Sequence, residues 1–256
     1  MILAIDLGNT LAKGVLIEEQ PTDLRFCAPD LPDLLQIVES TGEDIEGIVF
    51  CSVRRDSGEM ELLSRYYALK PGGRVVKVDG DSPLPIRLDY LPAGSLGADR
   101  IAAAVGAWHL FGERCVVADA GTALTVDVVE PSAGDTVDSP GVFAGGTISP
   151  GLRLRFESLG RHTDLLPLLE AQGMVGVLGN TTAEAIRAGV IGGAASEIEG
   201  IWRHIQSEKG HCRLVITGGD GPLLAEILLD RGIESSIVSD LVFIGLAAIF
   251  EFRQLQ

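Results

Sequence analysis

A chain of 256 residues with 46% apolar and 22% charged side chains has room for two ordinary domains and enough apolar material to core both. Its net charge of −16, with no Lys/Arg cluster, excludes the basic tracks that hold a nucleic-acid backbone, so any anionic ligand must be met locally. No charged-then-apolar leader pattern precedes the first strand and no apolar run reaches membrane-spanning length; the expectation is a cytoplasmic protein with no membrane partner. Cys27, Cys51, Cys115 and Cys212 are scattered without a Cys-x-x-Cys pair, which speaks against a zinc site, and Cys51 and Cys115 sit in apolar strand-like runs, which favours buried free thiols.

The apolar run 2–5 reads as a buried strand that ends in Asp6, Gly8, Asn9 and Thr10, and residues 13–17 read as its returning partner. Gly8 and Asn9 are residue types that tolerate positive φ in a tight hairpin. Such a turn offers backbone N–H groups and a Thr hydroxyl to an anion, with a carboxylate alongside for a hydrated cation. Alone, the stretch reads equally well as an ordinary β-hairpin. Next come an amphipathic helix over 31–40, a buried strand over 47–53 and a polar loop over 54–57. A helix follows over 57–69, with Met60, Leu63 and Tyr67 on one face, then a short strand over 75–78. Residues 82–92 are too rich in proline for helix. Gly97 leads into an Ala-rich helix, thin enough to pack closely on its neighbours. Asp99 in its first turn has two readings. It is either an acid that complements the helix dipole or, with Arg100, a base and an anion clamp facing a cleft.

The second half opens by repeating the first. Cys115–Val129 has the same plan of apolar strand, Asp-x-Gly-Thr/Asn turn and apolar strand, with Asp119 and Gly121 lying 113 residues after Asp6 and Gly8. A recurrence of this kind divides the chain into halves, 1–114 and 115–256, whose facing turns could grip one nucleotide. A polar loop over 130–139 precedes a Gly- and Pro-dense segment, 145–151, where the backbone bends sharply or approaches something closely. Residues 152–159 read as a helix with Arg153 and Arg155 on its exposed side, and His162 as a surface or supporting residue. The run 179–182 caps a long helix, 183 to about 206, with Thr181 or Thr182 either as plain cap or as a hydroxyl for a ligand. Residues 214–221 form a strand and a Gly-rich turn before a helix from Pro222, and the apolar closing helix 239–252 is either buried or at an interface. Strands alternating with helices, plus two antiparallel hairpins, predict an α/β fold with mixed sheets flanked by helices.

Five segments in this order resemble the type III pantothenate kinases, which open coenzyme A biosynthesis. They are Asp6-x-Gly-Asn-Thr-x-x-Lys13, Tyr90 followed by Gly97-Ala-Asp-Arg100, Asp119-x-Gly-Thr-Ala123, Gly145-Gly-x-Ile-Ser-Pro-Gly-Leu152 and Asn180-Thr-Thr182-x-Glu-Ala. The resemblance spans nearly the whole chain. It implies the actin-like ATPase superfold, with two RNase H-like domains around a nucleotide cleft, a homodimer, and ATP-dependent phosphorylation of pantothenate to 4'-phosphopantothenate. Carried over by position, Asp6, Leu7, Gly8, Asn9, Thr10, Leu11, Ala12 and Lys13 would meet the ATP phosphates, and Thr122 would touch ATP. Asp6 would hold Mg²⁺ directly or through water, and Asp119 would hold K⁺ or NH₄⁺. Asp99 would accept the proton, and Tyr90, Gly97, Ala98, Asp99 and Arg100 would line the pantothenate site. Thr182 would reach it from the neighbouring subunit, with Thr181 as the alternative hydroxyl. The family commonly has Asp-Asn-Pro after the tyrosine, where this chain has Leu91-Pro92-Ala93, but the spacing from Tyr90 to Gly97 is unchanged. Two rival readings are a kinase of the same superfold with another acceptor, and a non-catalytic nucleotide-binding regulator. The regulator predicts a lost catalytic carboxylate, whereas Asp6, Asp99 and Asp119 are all present.

Overall fold

The computed structural model describes residues 1–54, 58–67, 74–132, 140–174 and 176–255, with the side chains of Tyr66 and Tyr67 excepted. Most of the loop expected over 54–57, the ends of the helix expected over 57–69 and the loop tip through Ser139 lie outside these residues. By their contacts the residues form two compact units. The first comprises Met1–Gly112, Pro131–Ala144 and Asp240–Gln256, and the second Glu113–Glu130 and Gly145–Ser239.

The first unit is built on strands β1 (Ile2–Leu7), β2 (Ala12–Ile17), β3 (Pro21–Ala28), β4 (Gly47–Ser52) and β5 (Arg74–Lys77), in sheet order β3-β2-β1-β4-β5. Helices α1 (Leu31–Ser40) and α2 (Glu59–Tyr67) lie between strands in the chain. The central β1 pairs antiparallel with β2, from Ile2 opposite Ile17 to Leu7 opposite Ala12, and parallel with β4, which sets Asp6 opposite Cys51. Its residues 3–5 are fully buried, as a strand covered on both faces requires. Asp30 caps α1 by accepting the Asp33 N–H at 3.0 Å, and Leu31, Leu34, Leu35 and Val38 turn inward to the core beside Leu3, Leu16 and Phe50.

The short strand β6 (Ile86–Leu88) lies inside the segment that proline excluded from helix, and α3 (Ala98–Phe111) follows the expected Gly-led turn. The Ala-rich α3 packs on the closing helix, Leu241–Gln254, through two glycines. A Cβ on Gly106 would stand 2.3 Å from the Leu241 carbonyl oxygen, and one on Gly245 1.8 Å from that of Ala102. Only hydrogen fits at either place.

The second unit carries β7 (Cys115–Ala120), β8 (Ala123–Pro131), β9 (Gly141–Pro150), β10 (Arg213–Thr217) and β11 (Ser236–Ile237), in order β11-β10-β7-β8-β9. Its helices are α4 (Leu152–His162), α5 (Thr182–Arg187), α6 (Gly193–Lys209) and α7 (Gly221–Asp230); the last helix, α8 (Leu241–Gln254), belongs to the first unit. Strands β7 and β8 form the second hairpin, from Cys115 opposite Val129 to Ala120 opposite Leu124, and β10 runs parallel to β7 with Thr217 opposite Asp119. The first residues of β9 belong to the first unit, where 141–143 pair with β6. The expected long helix is present as α5 and α6, joined by a π-helical turn over Ala188–Gly192.

Four strands escaped the sequence reading, β9 among them: residues 145–150, expected to bend sharply or to approach something closely, run as extended strand. β3 has mixed exposure along its length, β6 has three residues and β11 two, so none carries a readable period. Arg155 was expected on the exposed face of α4. It is half-buried instead, and donates to the Pro150 carbonyl, the Ser149 hydroxyl and the Glu197 carboxylate. Arg153 and His162 are exposed as expected. Among the described residues no helix is long and apolar enough to cross a membrane.

Candidate active site

Four charged side chains, Asp6, Lys13, Arg54 and Asp99, act on one another where β1 of the first unit ends. The carboxylate of Asp6 accepts the Cys51 S–H at 3.5 Å from the neighbouring strand, and Lys13 sits opposite it on β2. Burial first, and then the charge of Asp99, hold the Asp6 carboxyl above its ordinary range. Lys13, the Cys51 thiol and Arg54 pull it back. Two carboxylates that resist joint ionisation make a place where a cation is welcome.

Asp99 stands in the first turn of α3, where its carboxylate accepts the Arg100 N–H at 2.8 Å. Burial raises its pKa despite that hydrogen bond and the nearby Arg100 charge. Such a carboxylate is a better proton acceptor than a solvated one. The preceding glycine is needed for this arrangement, because a Cβ on Gly97 would come within 2.6 Å of the Asp99 Oδ1.

The turn between β1 and β2 closes with the Gly8 N–H donating to the Leu11 carbonyl at 3.1 Å. The positive φ expected of Gly8 is not adopted. A Cβ there would meet only the Leu11 oxygen, at 3.4 Å, so neither backbone strain nor internal crowding demands glycine. What its absence of a side chain leaves open is the outer face of the turn. Asn9, Thr10, Leu11 and Lys13 are exposed, whereas the Leu7 and Ala12 side chains are buried and have only backbone to offer. Arg54, just beyond β4, donates from Nε to the Gly8 carbonyl at 2.7 Å and from Nη2 to the Pro29 carbonyl at 3.3 Å. Sequence reasoning passed over this residue because it lies in a loop remote from the turn it grips.

On the acceptor side, Arg100 is only 6% exposed, and its guanidinium carbon lies 5.9 Å from the centre of the Tyr90 ring and 5.6 Å from that of Phe143. The two rings meet edge to face, with centroids 6.0 Å apart. Phe143 had no sequence signal; it reaches Tyr90 because β9 pairs with β6. The Gly97–Arg100 turn and Tyr90 are therefore brought together as expected, with the Ala98 side chain buried.

In the second unit, three loops converge on the end of β7. A Cβ on Gly151 would stand 2.1 Å from the Gly121 oxygen, and the Gly151 N–H donates to the Thr122 carbonyl at 3.1 Å. Gly218, at φ +88°, has no room for a side chain either, since its Cβ would lie 2.5 Å from both the Asp119 Oδ1 and the Ala120 oxygen. The Asp220 N–H closes the set by donating to the Ala120 carbonyl at 2.9 Å. Thr122 is exposed, and Asp119 is half-buried beside Gly218. Further along, Thr181 caps α5. Its hydroxyl accepts the Glu184 N–H at 3.2 Å, while the Glu184 carboxylate accepts the N–H groups of Thr181 and Asn180. The exposed Thr182 faces a cavity of about 640 Å³ that Arg155, Leu159, Leu166 and Ile186 also line. Among the described residues no three His, Cys, Asp or Glu side chains gather as a metal cage.

The model of the type III pantothenate kinase family matches residues 2–204. The chain is 40% identical to the type III pantothenate kinase of Porphyromonas gingivalis strain ATCC 33277 over 257 residues, covering 98% of each. It is 32% identical to that of Streptomyces avermitilis over 277 residues, again covering 98% of each. Among solved structures, the ethanolamine utilization protein EutJ of Carboxydothermus hydrogenoformans superposes with a TM-score of 0.51 at 14% identity, over 97% of this chain and 89% of that one. That likeness speaks for the fold alone, mixed sheets flanked by helices. On the sequence matches, this chain is a phosphotransferase by descent and belongs to the type III pantothenate kinase family.

Proposed function

We propose that this chain moves the γ-phosphoryl group of ATP to the primary alcohol of pantothenate, with Asp99 as the base. The observation that carries the reading is the Asp99 carboxylate, half-buried, raised in pKa and seated by Gly97 and the Arg100 N–H beside the Tyr90–Arg100–Phe143 cluster. As the alcohol oxygen attacks phosphorus, its proton passes to Asp99, an O–P bond forms, and the bond from phosphorus to the departing ADP oxygen breaks. Arg100, held between two rings, orients the pantothenate carboxylate or amide, and Tyr90 closes one side of the site together with Gly97 and Ala98.

The ATP phosphates are assigned to the turn from Asp6 to Lys13. Its open outer face at Gly8 allows close backbone approach, and Asn9, Thr10, Leu11 and Lys13 stand exposed; Leu7 and Ala12 take part through backbone only. Thr122 is assigned to ATP as the counterpart of this turn in the second half, the halves being 1–114 and 115–256. Mg²⁺ fits Asp6, because a carboxylate disfavoured by burial and by Asp99 gains from a cation. When bound, that ion would neutralise phosphate charge. K⁺ or NH₄⁺ is assigned to Asp119, a half-buried carboxylate at the end of β7 that offers oxygen to a cation. Of the two threonines, Thr182 is the substrate contact, since the Thr181 hydroxyl is already used in the cap. Thr182 would serve the neighbouring protomer of a cytoplasmic homodimer.

The test is an ADP-release assay with ATP, Mg²⁺ and pantothenate, run in K⁺ and again in Na⁺ alone. Turnover that needs pantothenate and falls without K⁺ or NH₄⁺ is the expected result. Turnover indifferent to K⁺ removes the role given to Asp119, and ATP binding without pantothenate turnover removes the acceptor.

A further inference from the structure

We infer that Arg54 is a positioning residue for the nucleotide, fixing the first phosphate turn and adding a second positive charge to that of Lys13. The inference rests on the kinase reading above and adds a residue to its phosphate site. Pairing between β1 and β4 continues past the end of both strands. The Cys51 S–H reaches the Asp6 carboxylate, the Val53 N–H donates to the Leu7 carbonyl at 3.2 Å, and the Arg54 Nε donates to the Gly8 carbonyl at 2.7 Å. Three steps along β4 thus hold three successive residues of the turn's entry.

The third step is made by a side chain rather than by backbone, and it has a second anchor. Nη2 of the same guanidinium reaches the Pro29 carbonyl at 3.3 Å, in the bend between β3 and α1. A planar fork gripping two carbonyls from different loops has little freedom left. With the Gly8 carbonyl tied back and the Gly8 N–H closing the turn on Leu11, the exposed residues Asn9 and Thr10 are held at a fixed place.

Charge is the other half of the argument. Both groups that Arg54 grips are neutral carbonyls, and it forms no ion pair among the described residues. In a chain of net charge −16, a guanidinium fixed beside an open glycine turn is a local complement to a polyphosphate. Among the described residues the Arg54 guanidinium bonds to the Gly8 and Pro29 carbonyls and not to Asp99, so its effect belongs to nucleotide binding rather than to proton transfer.

The experiment is calorimetric titration of ADP with Mg²⁺ into the wild-type chain, Arg54→Gln and Arg54→Lys, with KM for ATP and for pantothenate measured on each. Arg54→Gln is expected to weaken ADP and raise KM for ATP about tenfold or more, as loss of a charge-assisted contact does. KM for pantothenate should stay within about twofold of wild type, a change too small to register as lost binding. Arg54→Lys, which keeps charge without the fork, should fall between. ADP bound as tightly by a folded Arg54→Gln as by wild type would overturn the inference. So would equal losses toward ATP and pantothenate together with a lower unfolding temperature, because that pattern marks a purely structural residue. A wild-type chain that binds no ADP overturns the underlying kinase reading, which separates the two failures.

Discussion

Gly245→Ala tests whether helix α3 is held where the site needs it. The added methyl would lie 1.8 Å from the Ala102 carbonyl oxygen, with the Gly106 nitrogen 2.9 Å away. That is roughly 1.5 Å or more short of van der Waals separation, and the obstacles are backbone atoms of α3, which cannot swing aside as a side chain can. Overfilling a packed contact costs about 1–3 kcal/mol, and this crossing belongs at the upper end. Alanine returns about 1 kcal/mol through helix propensity, so the net loss should be about 2 kcal/mol. For a protein of this size that is a fall of about 4–8 °C in unfolding temperature. Circular dichroism melting gives the value, and Gly200→Ala provides the control. Gly200 lies in α6 with nothing within 4 Å of its would-be Cβ, so alanine there should stabilise by about 0.5–1 kcal/mol. A Gly245→Ala protein that melts at or above wild type, while Gly200→Ala behaves as stated, would refute the close-contact account of α3 and α8.

Asp99→Asn should lower turnover by about 10²–10⁴-fold while ADP binding survives. Because burial holds the Asp99 pKa up, the group must lose its proton to work, and kcat/KM should fall toward acid pH with a midpoint above the usual carboxylate range. The stability sign is opposite: a raised carboxyl favours the fold when protonated and loses that contribution as pH rises through its folded pKa. Asp99→Asn should therefore melt no lower than wild type at neutral pH, and a clear destabilisation there would count against the burial argument. Thr181→Ala should cost about 1 kcal/mol of stability, as lost caps do, and leave KM for pantothenate alone. Thr182→Ala should do the reverse, and matched effects on both would cancel the division of labour. Ellman titration of the native protein should count one fast thiol, the exposed Cys27, and four after denaturation. Cys51, Cys115 and Cys212 are buried, with the Cys115 thiol pushed up to about 12, so a second fast thiol would contradict the packing.

The parts of the site that sequence could show were those written as local patterns. Both Asp-x-Gly turns announce themselves because a buried apolar strand stops at a carboxylate and a glycine, and Gly97 leads visibly into the Ala-rich α3. The capping box at Thr181 and Glu184 is likewise spelled out in four consecutive positions. What could not be read depends on chain segments meeting far apart in sequence. Phe143 joins Tyr90 only through the pairing of β9 with β6, and Arg54 matters only because β4 lies beside β1. Gly8 shows a subtler gap. Its residue type suggested positive φ, yet the turn closes without it, and the reason for glycine lies on the outer face. The closing helix was ambiguous because an apolar face does not say what covers it. Contact with α3, and the ring of Phe250 lying so close to Gly47 that a Cβ there would stand 2.3 Å from it, answer that in favour of the core.

The return of α8 to the first unit has a consequence for how the protein is made. Ribosomes deliver residues in order, and an N-terminal unit ordinarily begins to fold while the rest is still being synthesised. Here β1, β4 and α3 emerge early but lack their last layer until residues 241–254 follow, some 140 positions behind the Asp99 turn. Arg253 then ties that late segment to early backbone, donating to the Pro83 carbonyl at 3.1 Å and to that of Lys77 at 3.0 Å. A nascent chain therefore carries a partly uncovered first unit through most of translation, and a premature stop shortly before Asp240 would damage the oldest part of the molecule first.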